Sequence, residues 1–189
     1  MTHNLLFAGV GGQGVVLASE VLARVAAAEG YDVKQGEVHG AAQRGGAVVS
    51  HIRFGERVFS PLNLRGQADV LAAFEKLEAV RHAHYLKPDG VLIINDHRIE
   101  PTFLNTAAKY PDDPIGFLKS KNYRVIVVDA SETARRMGNE RVASLFMLGA
   151  VSRFIPLKPE SWDQVLRERI PAKFLALNQR AFAEGQQAI

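Results

Sequence analysis

The sequence predicts an α/β fold: a three-layer α/β/α domain with a mixed, mostly parallel sheet that contains one antiparallel hairpin, and with a helical C-terminal third. Short apolar runs alternate with helical patterns through the first two thirds of the chain, which favours parallel strands joined by helices. One segment alternates apolar and polar residues and then turns, which favours a hairpin. No repeat or linker divides the 189 residues, so we expect a single domain over residues 1–189.

The first part of the chain predicts strands around one amphipathic helix. The first three elements are a strand over residues 4–8, a helix over 15–29 and a weak strand over 31–34. Residues 47–54 then alternate as a half-buried strand does. Gly55-Glu56 fits a two-residue turn, so residues 57–59 are expected to return antiparallel. This pair makes the predicted sheet mixed, which counts against a plain dinucleotide-binding fold.

The rest of the chain predicts three buried strands and a group of helices. The strands are continuous apolar runs, as is typical of strands covered on both faces. They lie over residues 69–74, 91–95 and 123–128. Ser131 and Ser161 are predicted helix caps, and Pro171 suits the first turn of a last helix. The helices are expected over residues 75–85, from 131 onward, and over 142–154, 162–169 and 172–184.

The first candidate site is the glycine turn between the first strand and the first helix. It contains Gly9, Gly11, Gly12, Gln13 and Gly14. The spacing is G-x-G-x-x-G in a strand-to-helix context, and the unpaired amides at a helix N-terminus attract a phosphate or carboxylate. The same pattern also suits glycines that only permit a tight turn and close helix–sheet packing. Both interpretations stay open, and in a dinucleotide enzyme Glu37 would be the nearest acid for a ribose.

The second candidate site is a glycine-bracketed loop rich in polar side chains. It contains Glu37, His39, Gln43, Arg44, Gly45 and Gly46. A guanidinium suits carboxylate or phosphate groups, and loops often carry function. The alternative is an ordinary surface loop whose glycines relieve backbone strain. We favour a surface that faces a partner or a cleft.

Composition excludes several classes of protein. The net charge is +3, and no run of five or more Lys and Arg occurs, so a nucleic-acid partner is not expected. No apolar run approaches the length of a membrane span, so a cytoplasmic protein without a membrane contact is expected. The chain has no cysteine, which excludes disulfides and cysteine ligation of iron–sulfur clusters.

The sequence also lacks a complete set of catalytic groups. It has no phosphate-binding loop with Lys and Ser/Thr, no nucleophile elbow and no spacing of metal ligands, so neither a catalytic residue nor a metal site is predicted. A thiamine-diphosphate motif is missing too. One pair of good loops without a catalyst is typical of a subunit rather than of a freestanding enzyme.

The two candidate sites also carry a resemblance to a known family. The chain resembles the gamma-type subunit of the 2-oxoacid:ferredoxin oxidoreductases, most closely the small subunit of the indolepyruvate branch. The resemblance rests on the segments 9–14, 37–46, 49–55 and 68–70, and on Gly138-Asn139, Leu148-Gly149, Asn178 and Ala181-Phe182. The His-Gly…Gln-Arg-Gly-Gly segment favours the indolepyruvate branch, whereas Ser144 departs from the asparagine expected at that position.

The resemblance implies a reaction and a division of labour. An aryl 2-oxoacid such as indolepyruvate would be oxidatively decarboxylated, coenzyme A would take the acyl group, and ferredoxin would take the electrons. Thiamine diphosphate and the iron–sulfur clusters would belong to a large partner subunit, and this chain would bind neither alone. The glycine turn would then hold an anion such as a coenzyme A phosphate. A stand-alone NAD(P)-dependent reductase and a non-catalytic interaction module are the competing readings.

Overall fold

A computed structural model describes residues 1–40, 46–100 and 109–189 of the chain. Within these ranges, six strands form one sheet in the order β2-β3-β1-β4-β5-β6. The strands are β1 (Thr2–Val10), β2 (Asp32–His39), β3 (Ala47–Gly55), β4 (Ala68–Ala73), β5 (Leu86–Asn95) and β6 (Arg124–Val128). β1, β4, β5 and β6 are parallel, and β3 runs antiparallel to both of its neighbours. The mixed, mostly parallel sheet is therefore confirmed.

Helices cover both faces of this sheet. They are α1 (Val15–Ala28), α2 (Lys76–His82), α3 (Pro114–Ser120), α4 (Ala130–Arg136), α5 (Ala143–Ser152), α6 (Pro159–Arg169) and α7 (Ala172–Gln187). Short 3₁₀ turns at Ala83–Tyr85 and Glu140–Val142 follow α2 and precede α5. The helical C-terminal third is confirmed, and in these ranges no helix has both the length and the apolar character that crossing a bilayer requires.

Successive side chains of the central strands point to two separate cores. Leu5 and Phe7 of β1 pack in one core with α1, α4, α5, α6 and α7. Leu6 and Ala8 pack in the other with α2, its 3₁₀ turn and α3. Because strand side chains alternate between faces, an unbroken apolar run such as that of β1 needs a helical layer on each side. This accounts for the three layers.

A crevice lies at the carboxyl ends of β1 and β4, where the chain leaves the sheet toward opposite faces. β1 and β4 are neighbours in the sheet. The helices that follow them, α1 and α2, pack on opposite faces. In open α/β sheets, a crevice of this kind is where ligands bind. The glycine turn lies at its rim.

The prediction that residues 57–59 pair with β3 in a hairpin is wrong. Residues 57–59 form no strand, and β3 pairs instead with β2, whose eight residues extend well beyond the predicted 31–34. β2 lies at the edge of the sheet and ends in exposed residues, so its sequence lacks the apolar pattern of a central strand. After β3, the amide of Val58 donates to the Asp32 carboxylate and not to a strand ladder.

Three local predictions also differ from the structure. Ser131 lies within α4, whose N-cap is Asp129, and α6 begins at Pro159, before Ser161. α3 was not predicted, although Asp113 caps it through the Gly116 amide. In each case several local signals compete within a few residues, and the tertiary contacts select one of them.

Candidate functional site

The glycine turn joins β1 to α1 through residues with left-handed backbone angles. Gly14 is the N-cap of α1 at φ 76°, and Gly12 has φ 103°. The first turn of α1 has no acidic side chain, and no side chain caps it. Its first amides therefore keep the positive end of the helix dipole available to an anion.

Gly9 and Gly14 also serve close packing. A Cβ at Gly9 would lie 2.7 Å from Val15 Cγ2, and one at Gly14 would lie 2.8 Å from Ser144 Cβ. A Cβ at Gly12, by contrast, would meet nothing within 4 Å. The packing interpretation thus accounts for two of the glycines, whereas Gly12 leaves an open surface at the turn.

Gln13 ties the carboxyl ends of β1 and β4 together. Its Oε1 accepts from the Val10 amide at 2.8 Å, and its Nε2 donates to the Phe74 carbonyl at 2.8 Å. The Asn95 side chain, which is buried at the end of β5, donates to the same carbonyl at 3.1 Å. These amides pin three neighbouring strand ends and give the crevice a fixed floor.

A cavity of about 190 Å³ lies above this floor. Its lining includes Gly12, Gln13, Asn95, His97, Ser131, Arg135, Glu140 and Arg141. Ser131 Oγ accepts from Asn95 Nδ2 at 2.8 Å, and no acceptor among the described residues binds its hydrogen. The Ser131 hydroxyl can therefore donate to a ligand in the cavity.

Three charged residues line the cavity, Arg135, Glu140 and Arg141, and they differ in their ion pairs. Arg135 is neutralised by Glu132 and by Glu140, the latter at 3.3 Å. Arg141 has no carboxylate within 4.0 Å in the described part of the chain. A guanidinium and a hydroxyl donor line one cavity, and the glycine turn that precedes the uncapped N-terminus of α1 forms part of its wall, which is a suitable environment for an anion of phosphate size.

A second group of polar residues lies on the α2 side of the turn. The buried carboxylate of Glu75 caps α2 and accepts from Tyr110 Oη at 2.5 Å. Burial and Glu75 raise the pKa of Tyr110. Burial also raises the pKa of Glu78, whose Oε1 accepts from Arg81 at 2.6 Å. Its Oε2 has no hydrogen-bond partner among the described residues, and His82 Nδ1 lies 3.6 Å from it. A group of at least three His, Cys, Asp or Glu side chains suited to a metal does not occur among the described residues.

The structure brings part of the second candidate site next to the first. The Gly11 amide donates to the Gly46 carbonyl at 2.8 Å. Glu37 and His39 are exposed at the end of β2. Gln43, Arg44 and Gly45 lie outside the described residues. The binding roles assigned to both segments remain predictions.

Sequence reasoning missed the cavity residues of the later strands. Asn95 ends β5, and Ser131 and Arg141 follow β6. For Asn95 and Ser131 the available signal was their position at or shortly after the end of an apolar strand, because carboxyl ends of parallel strands meet at one edge. Arg141 lies beyond α4 and had no such signal. Because these residues are far apart in sequence, the sequence alone does not predict that they line one cavity.

Comparison with known proteins identifies the family. A model of the family described as pyruvate ferredoxin/flavodoxin oxidoreductase matches residues 4–188. The chain belongs to this family. The indolepyruvate oxidoreductase subunit IorB of Archaeoglobus fulgidus is 38% identical, covering 100% of this chain and 96% of that protein. Its counterpart from Thermococcus kodakarensis is 35% identical, over 98% of this chain and 95% of that protein.

Two further similarities concern architecture and chain length. The gamma subunit of a keto/oxoacid ferredoxin oxidoreductase from Geobacter sulfurreducens superposes with a TM-score of 0.74 at 25% identity, covering 98% of this chain and 97% of that one. The ketoisovalerate oxidoreductase subunit VorA of Methanothermobacter marburgensis is 32% identical over 76% of this chain but only 27% of its own length. In VorA, the matching region is thus part of a much longer polypeptide.

Proposed function

We propose that this chain is the small subunit of an aryl 2-oxoacid:ferredoxin oxidoreductase that acts on indolepyruvate. The observation that carries the proposal is the nearly full-length similarity, at 35% and 38% identity, to proteins named indolepyruvate oxidoreductase subunit IorB. The complex oxidatively decarboxylates the 2-oxoacid in the cytoplasm. Coenzyme A takes the acyl group, and ferredoxin takes the electrons.

In this proposal, the catalytic cofactors belong to the large subunit. A chain without cysteine offers no thiolate to an iron–sulfur cluster, and its sequence has no thiamine-diphosphate motif. The small subunit completes the complex and is inactive alone. Its residues bind and orient a co-substrate but perform no covalent step.

The cavity at the glycine turn is the proposed place of that co-substrate contact. Coenzyme A carries phosphate groups, and the turn presents Gly12 and the amides of the first turn of α1. Arg141 supplies a charge, and Ser131 supplies a hydroxyl donor. Gln13 and Asn95 hold the strand ends that position these donors. Arg44, from the second candidate site, is proposed to face the partner or the cleft.

The test is purification of the tagged chain from its native cells. The expected result is a co-purifying large subunit that contains thiamine diphosphate and iron–sulfur clusters. The complex should reduce ferredoxin when indolepyruvate and coenzyme A are both present, and Arg44→Ala should lower its activity or its affinity for coenzyme A. A chain that purifies alone and binds NAD(P)H would overturn the proposal in favour of a freestanding reductase. If substitutions in the glycine turn and at Arg44 leave the affinity of the complex for coenzyme A unchanged, this chain is an interaction module only.

A further inference from the structure

Part of the segment between β3 and β4 packs against one face of the sheet, along the edge strand β2. We define this part, residues 57–64, as the strap. Val58 N donates to Asp32 Oδ2 at 2.8 Å, at the start of β2. Pro61 then lies over Gly36, with its Cβ 3.2 Å from the position that a Gly36 Cβ would take. The strap therefore follows β2 from its first residue to its middle.

Side chains of the sheet fix the strap in place. Arg53 Nη1 donates to the carbonyl oxygens of Ser60 at 3.0 Å and of Leu62 at 3.4 Å. Asn63 is 4% exposed, and its Nδ2 donates to the Leu5 carbonyl at 2.5 Å. Its backbone amide donates to His51 Nδ1 at 3.1 Å. A segment held by this many hydrogen bonds loses little further freedom when a partner binds.

The outer surface of this fixed segment is apolar. Phe59 is 83% exposed, Leu64 63% and Leu62 50%. Val38 of β2 is 55% exposed and lies on the strap side, because it is two residues beyond Gly36 in the strand. We name these four residues the strap surface. Several exposed apolar side chains on a rigid support are typical of a protein–protein contact.

Two arginines border the strap surface, together with the exposed Glu56. Arg57 lies with its Cζ 4.9 Å from the centre of the Phe59 ring, and Arg65 is exposed just after the strap. In the described part of the chain, neither has a carboxylate within 4.0 Å. Carboxylates of a different protein, placed around an apolar segment, would pair with these two guanidinium groups.

We propose that the strap surface is where the large catalytic subunit docks. This inference rests on the proposed function, because that function supplies the partner. VorA, in which the matching region occupies 27% of a longer chain, supports a larger protein as its companion. The exposed Glu37 and His39 adjoin Val38 along β2, but their side chains point to the opposite face of the sheet, so the partner-facing surface predicted from sequence shares only the edge strand with the strap surface.

The test uses the co-expressed complex of the two full subunits. Phe59→Ser combined with Leu64→Ser should weaken the binding of the large subunit by about 30-fold or more, as loss of central apolar anchors does. Phe117→Ser provides the matched control, since Phe117 is 49% exposed on α3, at another place on the surface. Replacing Arg57 and Arg65 by Gln should slow association and reduce its dependence on salt.

A second measurement avoids substitutions altogether. Hydroxyl-radical footprinting of the wild-type complex should protect Phe59 and Leu64 and leave Phe117 reactive. If the wild-type chain binds no large subunit, the proposed function itself fails. If a complex forms but the strap variants bind normally and Phe59 stays reactive, only the docking site is overturned. If the isolated chain self-associates and the strap variants abolish this self-association, the strap surface binds a second copy and the proposed docking of the large subunit is overturned.

Discussion

The amide of Gly11 donates a hydrogen bond of 2.8 Å to the carbonyl oxygen of Gly46. This bond connects the turn after β1 with the residue that precedes β3, so the two candidate sites meet at one corner of the sheet. A ligand held at the turn therefore lies close to the end of the second segment. A change in either segment is expected to alter the other.

Gln13→Met should destabilise the protein by about 1–3 kcal/mol, because it leaves the buried Val10 amide without its acceptor and removes one donor from the Phe74 carbonyl. Urea unfolding followed by circular dichroism measures the change. Gln164→Met is the control, since Gln164 is exposed and bonds only Glu168 at 2.9 Å. Equal stability of the two variants would contradict the clamp between β1 and β4.

Gly14→Ala should cost about 1–3 kcal/mol, because the residue has φ 76° and its new methyl group would meet Ser144. Ser144→Gly in the same chain should recover part of this loss by removing the atom 2.8 Å away. A double-mutant cycle of unfolding free energies separates the contact from the backbone strain. Strict additivity would show that the contact contributes nothing.

The accuracy of the sequence-based predictions depends on how local each signal is. The helix over 15–29 and the buried strands β4 and β5 are predicted well, because their apolar spacing lies within a few residues. The strand over 123–128 is found, but as the half-exposed edge strand β6 and not as a buried one. β2 was underestimated, since an edge strand buries little and carries no regular apolar pattern. The Gly55-Glu56 pattern predicts that residues 57–59 return as a strand, whereas long-range hydrogen bonds of Arg53 and Asn63 hold this segment as part of the strap.

In the candidate site, too, local features are predictable from sequence and long-range contacts are not. The glycine turn is continuous in sequence, so a local pattern predicts its position between β1 and α1. The cavity needs Asn95, Ser131 and Arg141, which come from separate segments and converge only because β5 and β6 are parallel neighbours. The order of strands in a sheet is set by long-range packing, so no local pattern predicts this convergence.

Glu78 should make the stability of the protein depend on pH. Burial raises its pKa above the ordinary value of 4.5, so the folded state binds the proton more tightly than the unfolded state does. The resulting stabilisation is complete below pH 4.5 and is lost as the pH rises through the raised pKa. Glu78→Gln does not titrate, so the unfolding free energy of the wild type should fall relative to this variant between pH 4.5 and neutral pH.

Urea titrations across that range measure the difference, and Glu168→Gln at an exposed position provides the control. A difference between the wild type and Glu78→Gln that is constant with pH would refute the assignment. A rising difference would mean that Arg81, which donates to Glu78 at 2.6 Å, outweighs burial.

Arg141→Gln should raise the KM for coenzyme A of the assembled complex by about 10-fold or more, because it removes a charged donor from the cavity. The KM for the 2-oxoacid should stay unchanged, since the guanidinium is proposed to contact phosphate alone. Arg167→Gln is the matched control: Arg167 lies on α6 and pairs with Asp163 at 2.7 Å, and it does not line the cavity. Ser131→Ala should act in the same direction as Arg141→Gln, with a smaller effect, because a neutral donor contributes less than a charged one. An unchanged KM for coenzyme A in both variants, with complexes that still assemble, would remove the cavity from co-substrate binding and leave the turn with its packing role.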